Sequence, residues 1–438
     1  MVTMMPRSPA VLAAVVLSVS LFAQDPSSPD PKERVRAARQ LAEQGSTAIP
    51  VLARLLKDPE YRVRLQAVKS IVKIGTQHSI APLVEATKDP DPEIQIRAID
   101  GLVNFYLPGY VTSGWFGSIK KTGTAIKGMF TDTNDAVIRP DIRVRPEVIE
   151  ALGKLARGGA SMKVRANAAR ALGILRGRAA VPDLIEAIKT TKNSEVIYEA
   201  LIALQKIRDQ SAAPEIVFLL RDLDDRVQIA AIETVGLLQY HKALPQLYDV
   251  LANARNKKIR RAALTAIAML PDEKSRPYYD QYITDKDPLM RAAAAEGYGR
   301  LKNPADLRML QTYFDSEKKM NPRLSLAFAL VMLGRTDLGE FTPLQYLIHT
   351  LNSASFRGVA EPFLVELARE RRVRESLYKA LDGASRDEKI GIARVLARSG
   401  GEDSIPHLER LVRDPDNEVS TEAATALRIL RARLGSGR

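Results

Sequence analysis

The sequence predicts an all-α protein, an α-solenoid (an α–α superhelix) of about eleven antiparallel helix pairs with one insertion. Two observations lead to this prediction. First, Ala, Leu, Ile, Val, Arg and Glu dominate the composition and only 5% of the residues are aromatic, which favours helices because straight-chain residues lose little rotamer freedom there. Second, a trio recurs at fixed offsets, as in a stacked array. Its two complete copies are Pro50, Asp58, Arg64 and Pro277, Asp285, Arg291.

The first 23 residues differ from the rest of the chain. Arg7 precedes an apolar run at residues 9–22, and Ala23 is followed by a polar, proline-rich stretch. This order is typical of a secretory signal peptide, so we expect export to the periplasm or the extracellular space, with cleavage after Ala23. An uncleaved anchor is the alternative, although the run is short for a bilayer span.

The cysteine content and the net charge limit how the exported protein can be stabilised and which partners it favours. The chain has no cysteine, so an exported product would depend on packing without disulfides. The net charge is +13, which favours acidic partners or anionic surfaces.

A leading helix at residues 32–44 is expected to cap the array, and the unit after it shows how the trio fits a helix pair. Apolar residues three and four apart at 49–56 and at 63–74 predict two amphipathic helices with Asp58 in the turn between them. Asp suits the cap of the second helix, and Gly75 suits its end.

The same pattern divides the chain into regions. The prolines at 182, 214, 245 and 277 are 32, 31 and 32 residues apart, so the units there are regular. We expect N-terminal repeats at 24–108, a non-repeat insertion at 109–141, central repeats at 142–302 and C-terminal repeats at 303–438. The last group keeps the helical periodicity but loses the trio up to about residue 399.

The repeats resemble the HEAT repeat family, in the short form of phycobilisome lyases and of bacterial exported HEAT repeat proteins. The resemblance implies that the proline bends the first helix, that the second helices line a concave face, and that Asp and Arg form a hydrogen-bonded ladder between repeats. At the arginine position, Gln228 and Ser420 depart from the pattern. The implied ladder residues are Asp58 with Arg64, Asp91 with Arg97, and Asp285 with Arg291.

The insertion at 109–141 is the best candidate for a specific function. Its aromatic and lysine residues form a weak basic amphipathic pattern, which is typical of a recognition or membrane-surface element. The alternative is that the segment packs on the solenoid and hides its aromatic rings as additional core, since its five glycines weaken a free helix. The candidate residues are Trp115, Phe116, Lys120, Lys121 and Lys127.

A basic run opens a second helix in the central repeats. It consists of Lys257, Lys258, Arg260 and Arg261, and the resemblance would place it on the concave face, facing an acidic ligand. The alternative is a solvated face or inter-repeat hydrogen bonding, because isolated surface charges are common. Another basic run, at 369–374, falls at a turn between units.

No catalytic residue, cofactor or metal ion is predicted. The four histidines, at 78, 241, 349 and 407, lie in different repeats without helical spacing, and none precedes Glu. We therefore predict a non-enzymatic scaffold that binds a protein or another extended acidic partner on the concave face. A membrane-surface scaffold docked through the insertion is the alternative, and a lyase acting on a bound pigment would need a nucleophile that we do not find. Nucleic acid is disfavoured because no aromatic stacking positions interleave with the basic runs.

Overall fold

The computed structural model describes residues 25–110 and 137–435, and every regular element within these ranges is helical. A leading helix, α1 (Pro31–Leu41), precedes eleven pairs in which a first helix is followed by a second. The first helices are α2 Ile49–Leu55, α4 Ile80–Ala86, α6 Pro146–Gly158, α8 Val181–Thr190, α10 Ala213–Ile216, α12 Leu244–Asn253, α14 Arg276–Tyr282, α16 Leu307–Ser316, α18 Pro343–Thr350, α20 Arg371–Ala380 and α22 Ile405–Val412. The second helices are α3 Tyr61–Ile74, α5 Pro92–Tyr106, α7 Met162–Ile174, α9 Ser194–Ile207, α11 Asp225–Leu237, α13 Lys257–Met269, α15 Pro288–Leu301, α17 Met320–Met332, α19 Arg357–Leu367, α21 Arg386–Ser399 and α23 Asn417–Gly435.

The chain forms two compact units, residues 1–82 and residues 83–438. In the described part of the first unit, α1 and α2 both pack against α3. In the second unit, each second helix from α5 to α23 packs against the next second helix, and most first helices pack against their own partner. The predicted all-α solenoid of about eleven helix pairs is therefore confirmed.

Side-chain caps set where most second helices begin. In each case a polar side chain accepts a hydrogen bond from a backbone N–H two or three residues later, which satisfies a donor that has no partner inside the helix. Such caps open six consecutive second helices, α5 to α15, and are Asp91, Ser161, Asn193, Asp224, Asn256 and Asp287. Because the caps recur at the same place, each of these six second helices begins at a capping side chain.

Small residues alternate where successive second helices touch. Glycine and alanine occupy this position in turn from α7 to α17, as Gly173, Ala203, Gly236, Ala266, Gly299 and Ala329, at spacings of 30 and 33 residues. A methyl group on Gly299 would lie 2.7 Å from Cα of Ala329, and one on Gly236 would lie 3.1 Å from Cα of Ala266. Each glycine therefore lets its helix approach the backbone of the next one closely. The packing repeats every two units, or 63 residues.

The pair α18 and α19 departs from the regular array. Helix α19 contains an interior proline, Pro362, which removes one backbone hydrogen bond. Its Glu366 accepts hydrogen bonds from both Nε and Nη2 of Arg300, each at 2.9 Å, although Arg300 lies on α15, two second helices earlier. The region whose sequence lacks the trio is thus also the region where α19 bonds to a helix beyond its nearest neighbour.

Two distant parts of the second unit meet at one ion pair. Arg428 of α23 has its Nε 3.5 Å from Oδ2 of Asp141, which precedes α6. Asp141 belongs to a short segment beside α7, where the N–H of Ile138 donates to the carbonyl of Ile174 at 2.9 Å. The last helix of the chain therefore lies next to the residues that lead into α6.

Candidate partner-binding site

The basic run Lys257, Lys258, Arg260 and Arg261 occupies the first turn of α13. Asn256 caps this helix, since its side chain accepts a hydrogen bond from the N–H of Lys258 at 2.8 Å. The cap and the turn before it hold the two lysines at the N-terminal edge of the row of second helices, where both are exposed. Neither lysine forms an ion pair within the described ranges, 25–110 and 137–435.

The two arginines of the run are partly buried and bonded to the next repeat. Nη2 of Arg260 donates to the hydroxyl of Tyr282 at 3.0 Å, and Nε of Arg261 donates to Oδ2 of Asp287 at 2.6 Å. These bonds join α13 to α14 and to the N-terminal cap of α15. The alternative interpretation from sequence, inter-repeat hydrogen bonding, therefore describes the arginines, whereas the lysines face solvent.

A cleft of about 350 Å³ lies between the first turns of α13 and α15. Of its two acids, Asp287 pairs with Arg261, and Asp285 accepts the N–H of Asp287 at 2.7 Å. The lining residues are Lys257, Arg260, Arg261, Asp285, Lys286, Asp287, Pro288 and Met290.

Sequence reasoning missed Lys286. It stands between two acids of a repeat turn, so it was hidden inside a structural motif. Its place directly after the Asp of a complete trio is the signal that would have found it. Lys286, like Lys257 and Lys258, is exposed and forms no ion pair in the part of the chain that the structure describes. Together they leave three free ammonium groups at one edge, which suits a carboxylate-bearing partner.

The side chains of the predicted ladder residues Asp58 and Arg64 form different kinds of hydrogen bond. Asp58 accepts hydrogen bonds from Nε and Nη2 of Arg34, on the leading helix α1, at 2.7 and 2.9 Å. It also accepts the N–H of Glu60, while Nη1 of Arg64 donates to the backbone carbonyl of Asp58 at 3.1 Å. Burial acts to raise the pKa of Asp58, but the bonds from Arg34 and Glu60 outweigh it, so this pKa lies below its usual value.

In the central repeats, Arg291 makes both the carbonyl bond that Arg64 makes and the carboxylate bonds that Arg34 makes. Its Nη1 donates to the carbonyl of Asp285 at 2.7 Å, and its Nε and Nη2 reach forward to Glu317 at 2.8 and 3.1 Å. The arginine therefore ties its own turn to the carboxylate of the next repeat. Where the arginine is replaced, Gln228 and Ser420 bond instead to the carbonyls of Leu220 and Val412, both at 2.7 Å.

The predicted ladder pair, Asp91 and Arg97, lies two residues after the positions that make the ladder bonds in the structure. Asp91 caps α5 and accepts the N–H groups of Glu93 and Ile94. The position of Asp58 is occupied by Asp89, which accepts the N–H of Asp91 at 2.9 Å. The position of Arg64 is occupied by Gln95, whose Nε2 donates to the carbonyl of Asp89 at 2.8 Å. The sequence also predicts Asp58 as the cap of α3, but the N-cap is Glu60, again two residues later.

The candidate residues of the insertion, Trp115, Phe116, Lys120, Lys121 and Lys127, lie outside the described residues, as does the predicted signal peptide. Among the residues that are described, no group of three His, Asp or Glu side chains is placed to hold a metal ion. No helix in the described part of the chain combines the length and the apolar character of a membrane span.

The stacked helix pairs and the row of second helices define an α-solenoid repeat protein. The chain belongs to the HEAT repeat family: the family profile described as HEAT repeats matches residues 19–103, 149–236, 184–257 and 244–331, more than half of the chain. A comparison with curated proteins found no match.

Three solved structures match this chain at low similarity. An engineered protein is 19% identical with a TM-score of 0.34, over 93% of this chain and 97% of its own. Importin beta, crystallised in an ammonium sulfate condition, is 12% identical with a TM-score of 0.40, over 94% of this chain and 62% of its own. The Escherichia coli protein YibA is 16% identical with a TM-score of 0.40, over 70% of this chain and 98% of its own.

Proposed function

We propose that this chain is a non-enzymatic scaffold that binds an acidic segment of a partner protein along the N-terminal edge of its second helices. One observation carries the proposal: Lys257 and Lys286 line the cleft, Lys258 stands beside it on α13, and none of the three forms an ion pair within the described residues. An acidic partner would find cations there without having to break an ion pair. A solenoid supplies the extended surface that such a partner needs.

We further propose that the protein is exported and works in the periplasm or outside the cell, after cleavage behind Ala23. The apolar run at residues 9–22 supports this proposal. N-terminal sequencing of the protein purified from its native cells would test it. A mature chain beginning at Gln24 supports export, and a chain that keeps residues 1–23 contradicts cleavage.

The binding proposal is tested by affinity capture from the native organism with mass spectrometry of the co-purifying proteins. The bait carries Lys257→Glu, Lys258→Glu and Lys286→Glu, which we expect to reduce the recovery of an acidic partner by about tenfold or more, because the reversed charges repel it. The matched control reverses Lys242, Lys274 and Lys379, which are also exposed, do not line the cleft and change the net charge equally. Equal recovery with both triple variants would contradict the assigned edge.

A membrane-surface scaffold remains the second candidate, carried by the aromatic and lysine residues of the sequence at 109–130. Co-sedimentation with anionic vesicles separates it from the first proposal. If vesicle binding is lost when residues 109–130 are deleted, the membrane function gains support. Unchanged binding after the deletion would remove it.

A further inference from the structure

A second cleft lies at the opposite ends of the same helices. It has a volume of about 410 Å³ and is lined by the C-terminal ends of α9, α11, α13, α15 and α17 together with α19 and α21. Helix α13 has 13 residues, so this cleft lies about 20 Å from the lysine edge at a rise of 1.5 Å per residue. The two clefts are therefore separate surfaces of one row of helices.

The irregular pair described above creates this cleft. Glu366 of α19 binds Arg300 of α15, and Glu370, which follows α19, has an oxygen 2.6 Å from Nζ of Lys302. Phe363 of α19 also stacks on Phe328 of α17, with ring centroids 4.7 Å apart. These contacts hold α19 against the ends of the preceding second helices. It becomes one wall of a cleft that a regular repeat would not form.

The lining is strongly basic. Arg208, Arg300, Lys302, Arg369 and Arg398 face one acid, Glu366. Glu366 is occupied by Arg300, and Lys302 by Glu370. The exposed Arg369 donates no side-chain hydrogen bond within residues 25–110 and 137–435, and Arg398 makes only a long bond, 3.4 Å, to Glu361. A ligand carboxylate would therefore meet the guanidinium of Arg369, which is unbonded in the described part of the chain, and beside it that of Arg398, whose ion pair with Glu361 is long.

The other wall carries long polar side chains where glycine is the usual residue. Arg208, Gln239 and Lys302 follow α9, α11 and α15 with φ values of 61°, 57° and 54°, in the left-handed region that side chains rarely adopt. Nε2 of Gln239 donates to the carbonyl of Met269 at 3.0 Å, and Nη1 of Arg208 to that of Leu237 at 3.4 Å. At these three positions the strained backbone holds a polar side chain on the cleft wall.

Apolar side chains lie between these polar walls. Met269, Met332, Phe363 and Val365 contribute to the lining, and methionine adapts to differently shaped partners. A phosphate or another small anion would leave this apolar part uncovered. An acidic peptide that also carries a bulky apolar residue would fill both parts.

We propose that this cleft is the docking site for an acidic peptide segment of a protein partner, with its carboxylates on Arg369 and Arg398 and an apolar side chain among Met269, Met332 and Val365. The proposal rests on the proposed function only in the acidic character of the partner. It assigns binding to the C-terminal ends of the second helices, whereas the lysine edge lies at their N-terminal ends.

The test measures fluorescence anisotropy of the full chain with a labelled peptide, EELEEL, at several salt concentrations. We expect Arg369→Glu with Arg398→Glu to weaken binding about tenfold or more, because two ligand-facing charges are reversed. The control, Arg371→Glu with Arg413→Glu, reverses two exposed arginines outside the cleft and should change binding less than about twofold. The milder Arg369→Ala with Arg398→Ala, which should also weaken binding, replaces the charge reversal if circular dichroism shows that the reversal unfolds the chain.

The outcomes separate the two proposals. If the wild type binds EELEEL and only the lysine triple variant loses binding, the cleft assignment is wrong while the proposed function stands. If the wild type does not bind EELEEL, the cleft assignment is overturned, and the affinity capture still decides the proposed function. Equal binding of the peptide EESEES or of polyphosphate would show a general polyanion site and overturn the peptide assignment.

Discussion

Arg291 shows how one side chain serves two repeats. It bonds a backbone carbonyl in its own turn through Nη1 and the carboxylate of Glu317 in the next turn through Nε and Nη2. Burial acts to raise the pKa of Glu317, but Arg291 and the N–H of Lys319 outweigh it and hold this pKa below its usual value. Folding therefore gains stability from Glu317 only while the carboxylate is ionised.

We expect Arg291→Ala to lower the free energy of unfolding by about 1–3 kcal/mol at pH 7, because Glu317 loses its charged partner while it stays partly buried. A carboxylate with a lowered pKa contributes above its unfolded pKa, and the contribution disappears as pH falls through its folded pKa. The difference from wild type should therefore shrink below about pH 4. Urea unfolding at several pH values measures it, with the exposed Arg255→Ala as control. A pH-independent difference would show that the arginine acts through packing and its bond to the carbonyl of Asp285, without the charge of Glu317.

At the residue scale, the sequence predicts the chemistry of the ladder better than its register. The trio identifies Asp58 and Asp285 as turn residues, and both lie in turns between helices. In the run Asp89-Pro90-Asp91-Pro92, two aspartates compete for one position, and the nearby Arg97 favours the wrong one. The true partner position holds Gln95, whose amide makes the same backbone bond without a charge. A pattern defined by charge does not detect that substitution.

At the scale of helices, close packing depends on the absence of a side chain at the alternating glycines. A methyl group on Gly299 would meet the backbone of α17, which has no flexible side chain to move aside. By contrast, a methyl group on Gly358, within α19, would meet no atom within 4 Å.

We expect Gly299→Ala to lower the melting temperature by several degrees, because overpacking costs about 1–3 kcal/mol. Gly358→Ala should leave the melting temperature unchanged or raise it, since alanine favours a helix by about 1 kcal/mol over glycine. Differential scanning calorimetry of both variants measures the contrast. If Gly299→Ala were as stable as Gly358→Ala, the close approach of α15 and α17 would not limit stability.

Local patterning was sufficient to predict the helix pairs, and it did not predict the path of α19. Apolar residues three and four apart identify both helices of α18 and α19 even though the trio is missing. The position of α19 depends on Arg300 and Glu366, which are 66 residues apart in the chain. Neither residue carries a sequence signal that names the other, so the second cleft could be found only from the structure.

At the scale of the second unit, the pair of Arg428 and Asp141 brings the last helix to the residues before α6. Arg428 is exposed, and at 3.5 Å the pair would contribute at most about 1 kcal/mol, so packing around it must determine the approach. Its value is as a reporter of that approach, because the chain has no cysteine that would interfere with thiol labelling.

We expect the double variant Asp141→Cys with Arg428→Cys to form an intramolecular cross-link with a short bismaleimide. Peptide mass spectrometry identifies the linked pair, and each single variant should give no intramolecular product. Denaturing the protein in urea before the reagent is added should abolish the link. Only intermolecular products from the native double variant would contradict the approach of α23 to the segment before α6.

The alternation of glycine and alanine has a consequence for how this array changes length. Removing one repeat of about 31 residues would bring two alanines or two glycines into register, and the helices would then meet at the wrong separation. Removing 63 residues restores the order of glycine followed by alanine. The indivisible module of this solenoid is therefore a pair of repeats, and shortened or lengthened versions should remain well packed only when whole modules are lost or gained.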